Sequence, residues 1–246
     1  MKKVLSIVVI LLLTISIPVI SVTVTNRSRA LSLLEDNGFL ITCNEGNFIQ
    51  RFLNIKGPVV QISYFGNDYQ DVDKYLKYIG FPSNIRLHNL KFEDLYFLKG
   101  NTNLESLTLG ECNIESLRYL SECQNLKNFN ISDSRLPNDL SEIKLLANLR
   151  NLKITESNLS SSFGLDSLNV ETLDLRGSHL YENFLNQITV SKIIDIKSPS
   201  VSEEDVIAFK AKYPNIIIHS NYNTLNIDND SPVLTPVATP GLETQD

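Results

Sequence analysis

An eleven-position pattern, L-x-x-L-x-L-x-x-(C/S)-x-L, recurs in succession along this chain, and few folds accommodate such a repeat. One copy places Leu104, Leu107, Leu109, Cys112 and Ile114 at its defining positions, and the next places Leu126, Phe129, Ile131, Ser134 and Leu136. Two more follow, Leu149, Leu152, Ile154, Ser157 and Leu159, then Val170, Leu173, Leu175, Ser178 and Leu180. Their starts lie 22, 23 and 21 residues apart. The L-x-L alternation makes a strand too short to stand alone, with its leucines on one side and the intervening residues on the other. Stacking such units side by side merges the leucines into one core.

The phase extends both ways. Upstream, Ile85, Leu87, Leu90 and Phe92 keep it with Pro82 in the first position, and Val59, Ile62 and Tyr64 form a fainter copy. Downstream, Ile194 and Ile196 keep it with Ser191 in the first slot and Val201 in the last, and Ile216 to Ile218 supply a terminal strand. The expected fold class is therefore α/β: a leucine-rich-repeat solenoid of about seven or eight coils, with a parallel β-sheet on the concave face. Apolar steps of three at Phe92, Leu95 and Leu98 and at Ile114, Leu117 and Leu120 predict short helical or 3-10 turns on the convex face. The ninth pattern position holds Leu90, Cys112, Ser134, Ser157 and Ser178. There a hydroxyl can satisfy turn backbone groups in the place of an asparagine.

Solenoid ends need covers. Residues 26–58 read as an N-terminal cap, with a helical stretch ending near Asn37-Gly38 and an extended stretch from Phe39 to Cys43. The solenoid occupies 59–220 and ends in a helix opened by a capping-box pattern from Ser202 to Asp205, followed by the last strand. From 221 to 246 the chain is rich in Asn, Thr, Pro and Asp without periodicity, and is expected to be disordered. At the other end, residues 1–25 hold an uncharged run from Val4 to Thr25, long enough to cross a bilayer as a helix. β-branched residues crowd its end where a signal peptidase needs small ones, so an uncleaved anchor is expected over a cleaved signal. Lys2 and Lys3 nearly balance Arg27 and Arg29. The amino terminus tips the count towards an extracytoplasmic repeat domain on a single-pass membrane protein.

Several chemistries find no footing. A net charge of −6 with scattered Lys and Arg offers no field for nucleic acid. Cys43, Cys112 and Cys123 lack the spacing of a zinc site or a disulfide framework, and no phosphate loop, nucleophile elbow or dinucleotide fingerprint occurs. Of His88, His179 and His219, two fall just past strands in the turn region, and His88 and His179 occupy different slots four coils apart, so no Cys–His pair is expected. The acids at 203–205 suit a helix N-terminus, and Asp228-Asn229-Asp230 lacks the glycine and distal glutamate of a calcium loop. No catalytic residue, metal or cofactor is expected. Sequons at Asn26, Asn130 and Asn158 matter only in a host that glycosylates secreted proteins.

The residues between the buried leucines form a ladder with one side chain per coil. Its central rungs are Arg86, Thr108, Asn130, Lys153, Asp174 and Asp195, flanked by Asn84, Ser106, Asn128, Asn151 and Thr172. These are the candidate residues for docking a protein or peptide, and their charge runs from basic to acidic along the stack.

The copies with Ser or Cys at the ninth position resemble the bacterial, planctomycete-type leucine-rich-repeat proteins. The opening Arg27, Arg29, Ala30, Leu34 and Gly38 before Ile41 to Cys43 is similar to theirs, as is the closing turn Tyr213-Pro214-Asn215-Ile216. Departures are the varied coil lengths, Pro82 and Ser191 in leucine slots, and heavy use of Asn. The resemblance implies protein recognition at or near a membrane and supplies no catalytic residue. The expected function is a membrane-tethered protein-binding module without catalytic activity. The alternatives are a self-associating structural or envelope-organising protein, and a recognition subunit of an enzyme complex.

Overall fold

The computed structural model describes residues 27–45, 58–66, 76, 80–159, 163–165 and 168–222. Each pattern copy in that range forms the strand its alternation predicts. In chain order the strands are β1 Leu40–Cys43, β2 Val59–Tyr64, β3 Asn84–His88, β4 Lys91–Phe92, β5 Ser106–Gly110, β6 Asn113–Ile114, β7 Asn128–Ser132, β8 Asn151–Thr155, β9 Asn169–Asp174, β10 Thr189–Asp195 and β11 Ile217–His219. Nine of them form one sheet in the order β1-β2-β3-β5-β7-β8-β9-β10-β11, while β4 and β6 pair separately. β1 lies antiparallel to β2, and the other neighbours in the large sheet are parallel. The molecule is a mixed α/β structure dominated by this largely parallel sheet, with few helices.

Register explains the core. Ile62, Ile85, Leu107, Phe129, Leu152, Leu173 and Ile194 stand opposite one another strand by strand, and each is at most 2% exposed. Behind them the return segments bury Leu95 and Leu98, Leu117 and Leu120, Leu140 and Ile143. These sit in or beside short turns, 3-10 at Tyr96–Leu98 and Leu120–Glu122 and helical at Ser141–Lys144. The core is thus a slab between the sheet and a wall of short turns, extended by one layer per repeat.

The ninth-position residues form a hydrogen-bonded column at the strand ends. Ser134 Oγ accepts the Cys112 N–H at 3.0 Å and donates to the Ser132 carbonyl at 2.8 Å. Ser157 Oγ accepts from Ser134 N–H and donates to Thr155, and Ser178 Oγ accepts from Ser157 N–H and donates to Ile154. The Cys112 thiol donates to the Gly110 and Leu87 carbonyls. The residue just before each member, Asn89, Glu111, Asp133, Glu156 or Gly177, has a positive φ between 47 and 69°. Each of the five N–H groups donates to a carbonyl of the next repeat, as in Glu156 to Arg176 at 2.9 Å. Left-handed backbone costs a non-glycine residue about 1–2 kcal/mol. It recurs here because it aims an N–H across the stack.

The ends differ from the middle. A helix over 27–36 closes through Gly38, φ 88°, into β1. Its Leu31 and Leu34, with Phe39 stacked on Tyr64 at 4.3 Å, cover the first layer. At the far end the helix Glu203–Lys212 carries a complete capping box and buries Val206 and Phe209. Three expectations need correction. In β10 the register shifts between Val190 and Ile193, so Val190, 2% exposed, fills the first slot opposite Val170, and Ser191 stays outside. The bulge spares the core a hydroxyl. The last strand starts one residue later than expected, at Ile217, with Ile216 buried before it. The C-terminal tail does not begin at 221. Tyr222 Oη donates to the Val201 carbonyl at 2.9 Å and Asn221 Nδ2 to the Ser198 carbonyl, so both are docked.

The run 4–25, the cap residues 46–57 and the tail from 223 onwards lie outside the described residues. Among the described residues no helix is long and apolar enough to cross a membrane.

Candidate binding face of the sheet

In a strand whose odd residues face the core, the even ones face the other way. Cross-strand pairing aligns them: Ser63, Arg86, Thr108, Asn130, Lys153, Asp174, Asp195 and His219 stand opposite one another in unbroken succession. The six expected central rungs are therefore brought together in one row, with Ser63 and His219 added at its ends. The flanking row is Gln61, Asn84, Ser106, Asn128, Asn151, Thr172, Ile193 and Ile217. It contains all five flanking residues expected from the sequence, and turns apolar in its last two.

Side chains within the rows bond to one another. Asn151 Nδ2 donates to Asn128 Oδ1 at 2.7 Å, and Asn130 Nδ2 reaches Thr108 Oγ1 at 3.5 Å. Asparagines in register can form such amide rungs along a stack. The acidic end is charge-compensated. Asp174 accepts two hydrogen bonds from the Arg176 guanidinium, at 2.9 and 2.8 Å, and lies 3.6 Å from Lys153 Nζ. Asp195 lies 3.6 Å from Arg176 Nε and 3.7 Å from His219 Nδ1. Burial opposes ionisation of Asp174, but Arg176, through hydrogen bonds and charge, outweighs it with help from Lys153 and holds the carboxyl below its ordinary range. Reciprocally, the bonds from Asp174 raise the Arg176 pKa. The basic-to-acidic run expected from the sequence thus carries its own neutralising partners at the acidic end.

The other end is different. Phe65 follows β2, is 60% exposed, and packs against His88 in a tilted pair with centroids 4.7 Å apart and an interplanar angle of 31°. The imidazole lies over Gly110 of β5, where any side chain would strike the His88 ring. Arg86, two residues before His88, is exposed and forms no ion pair among the described residues. The expected placing of two histidines just past strands changes in part: His88 is the last residue of β3 and His219 of β11, while His179 follows the turn after β9 and is bridged to Asn158. Sequence reasoning missed Phe65, Arg176 and His219 as parts of this face. Their even spacing from Ser63, Asp174 and Ile217 was the signal available.

Elsewhere, an open groove of about 810 Å³ runs along the turn column, lined by Lys91, Asn113, Asp133, Arg135, Glu156 and Asn158 among others. Lys91 and Glu115 pair across it at 3.0 Å. Burial pushes the Cys112 thiol up to about 11 and the Cys123 thiol up to about 12, so neither forms a thiolate near neutral pH. Among the described residues no group of three or more His, Cys, Asp or Glu side chains is placed to hold a metal ion. Comparison with known protein families, curated proteins and solved structures finds no match to this chain.

Proposed function

We propose that the chain is a leucine-rich-repeat solenoid of about seven or eight coils that acts as a protein-binding module, docking a protein or peptide on the concave face of its sheet. The observation that carries this reading is the unbroken row from Arg86 to His219, which offers one outward side chain per strand at a fixed spacing of about 4.8 Å. A rigid array of that kind suits an extended partner, because its contacts are positioned before binding and little ordering is needed. The resemblance to planctomycete-type repeat proteins belongs to the same proposal and is supported by the serine column. Tethering through residues 4–25, with the repeats extracytoplasmic, rests on the sequence. No catalytic role is part of the proposal. Self-association through the terminal strand is the second reading, favoured by Ile217, 55% exposed on β11. The test uses the full chain in its native membrane with Asn130→Glu and Lys153→Glu together. Cross-linked partner capture should fall at least tenfold while the thermal melt stays within a few degrees of the parent. Unchanged capture would remove the concave face from consideration.

A further inference from the structure

The outward face is uneven in charge, and the unevenness names a partner. Towards β11, the cations on or beside the row, Lys153 and Arg176, meet Asp174, and Arg176 and His219 approach Asp195. Towards β2, Arg86 has no such partner among the described residues, and beside it stands an exposed ring pair, Phe65 on His88. Gly110 leaves room on the neighbouring strand that the His88 imidazole occupies, so the Phe65–His88 pair forms a shelf lying over β5. A guanidinium is a planar fork of donors that matches a carboxylate with two parallel bonds. An aromatic shelf takes another ring by offset or edge contact, worth about 0.5–1.5 kcal/mol beyond area burial. Arg86 and His88 lie on one face of β3 two residues apart, roughly 7 Å. Side chains i and i+2 of an extended peptide project to one side at the same spacing.

Resting on the reading of this face as the docking surface, we infer that Arg86 with the Phe65–His88 pair is the anchor subsite for an extended protein segment carrying a carboxylate and, two residues on, an aromatic ring. The carboxylate docks on Arg86 and the ring on the shelf. The compensated end adds contact area without a free charge, so discrimination is concentrated at the β2–β3 end.

The experiment titrates the full chain, held in nanodiscs, with the blocked tripeptide acetyl-Glu-Ala-Phe-amide and follows the arginine and histidine side-chain resonances. Saturable shifts are expected at Arg86 and His88, with the Gln-Ala-Phe counterpart about tenfold weaker and the Lys-Ala-Phe counterpart weaker still. Arg86→Gln should bring the Glu and Gln tripeptides to equal affinity, and Phe65→Ala should weaken both. Equal shifts from the Glu and Lys tripeptides overturn the inference, as does discrimination that survives Arg86→Gln, or the absence of shifts at Arg86 and His88. If the tripeptide fails while Asn130→Glu with Lys153→Glu still abolishes partner capture, the docking face stands and this subsite falls. If both fail, the reading of the face falls with it.

Discussion

Ser157 shows how a single side chain joins three successive repeats. Its hydroxyl accepts from Ser134 N–H in the preceding repeat and donates to its own strand at Thr155, while its N–H is taken by Ser178 Oγ of the next repeat. The residue is 4% exposed, so groups left unpaired find little water. Ser157→Ala should therefore cost about 1–3 kcal/mol. Ser157→Cys should cost less, because Cys112 holds the equivalent place with its thiol 3.2 Å from the Gly110 carbonyl. Equilibrium urea unfolding measures both, and a neutral Ser157→Ala would sink the account of the column. This position was legible in the sequence, since a short polar residue recurs there in phase. The residue before it was not. Glu111 and Glu156 are poor candidates for left-handed backbone, and only their place in the stack imposes it. Heavy asparagine use has a local cause: Asn125 and Asn148 donate to the Thr102 and Gln124 carbonyls of the preceding repeat.

At the scale of elements, the strands were the most legible because two independent constraints coincide in them, alternation along the strand and recurrence between strands. β10 escaped in part. Its bulge is set by Val190 reaching a pocket opposite Val170, which a fixed period cannot express. The last helix was legible from its first four residues. Ser202 Oγ accepts from Asp205 N–H and the Asp205 carboxylate accepts from Ser202 N–H, both at 3.1 Å. The acids at 203–205 and the lysines at 210 and 212 complement the helix dipole. Lys210 Nζ also donates to the Pro214 and Ile216 carbonyls, tying the helix end to the terminal strand. Ser202→Ala should lower stability locally by about 1 kcal/mol. Because repeats touch only their neighbours, amide hydrogen exchange should speed up from 203 to 219 and stay unchanged in β5 and β7. Uniform acceleration across the sheet would contradict that local coupling.

For the whole molecule, the sequence carried the stacking and the row of outward side chains, because both follow from one period. It did not carry the charge pairing at Asp174 and Asp195, which depends on how Arg176 and His219 meet them across strands and around a turn. Nor did it mark the ring pair, since Phe65 lies in the faintest copy and pairs with His88 from the next. One unit, stacked in register, builds both the core and the exposed face. Lys127 and Arg150 occupy equivalent places, each N–H donating at 3.0 Å to the residue one unit back, Glu105 and Lys127. Removing residues 128–150, one unit of 23, therefore joins Lys127 to Asn151 without breaking phase. Measured by cooperative thermal unfolding and backbone NMR, this deletion should leave a folded chain with β5 paired to β8, Ser106 opposite Asn151, in a sheet one strand shorter. Removal of only 128–138 should abolish the transition. If the two deletions are equally destructive, the repeat is not the unit of construction.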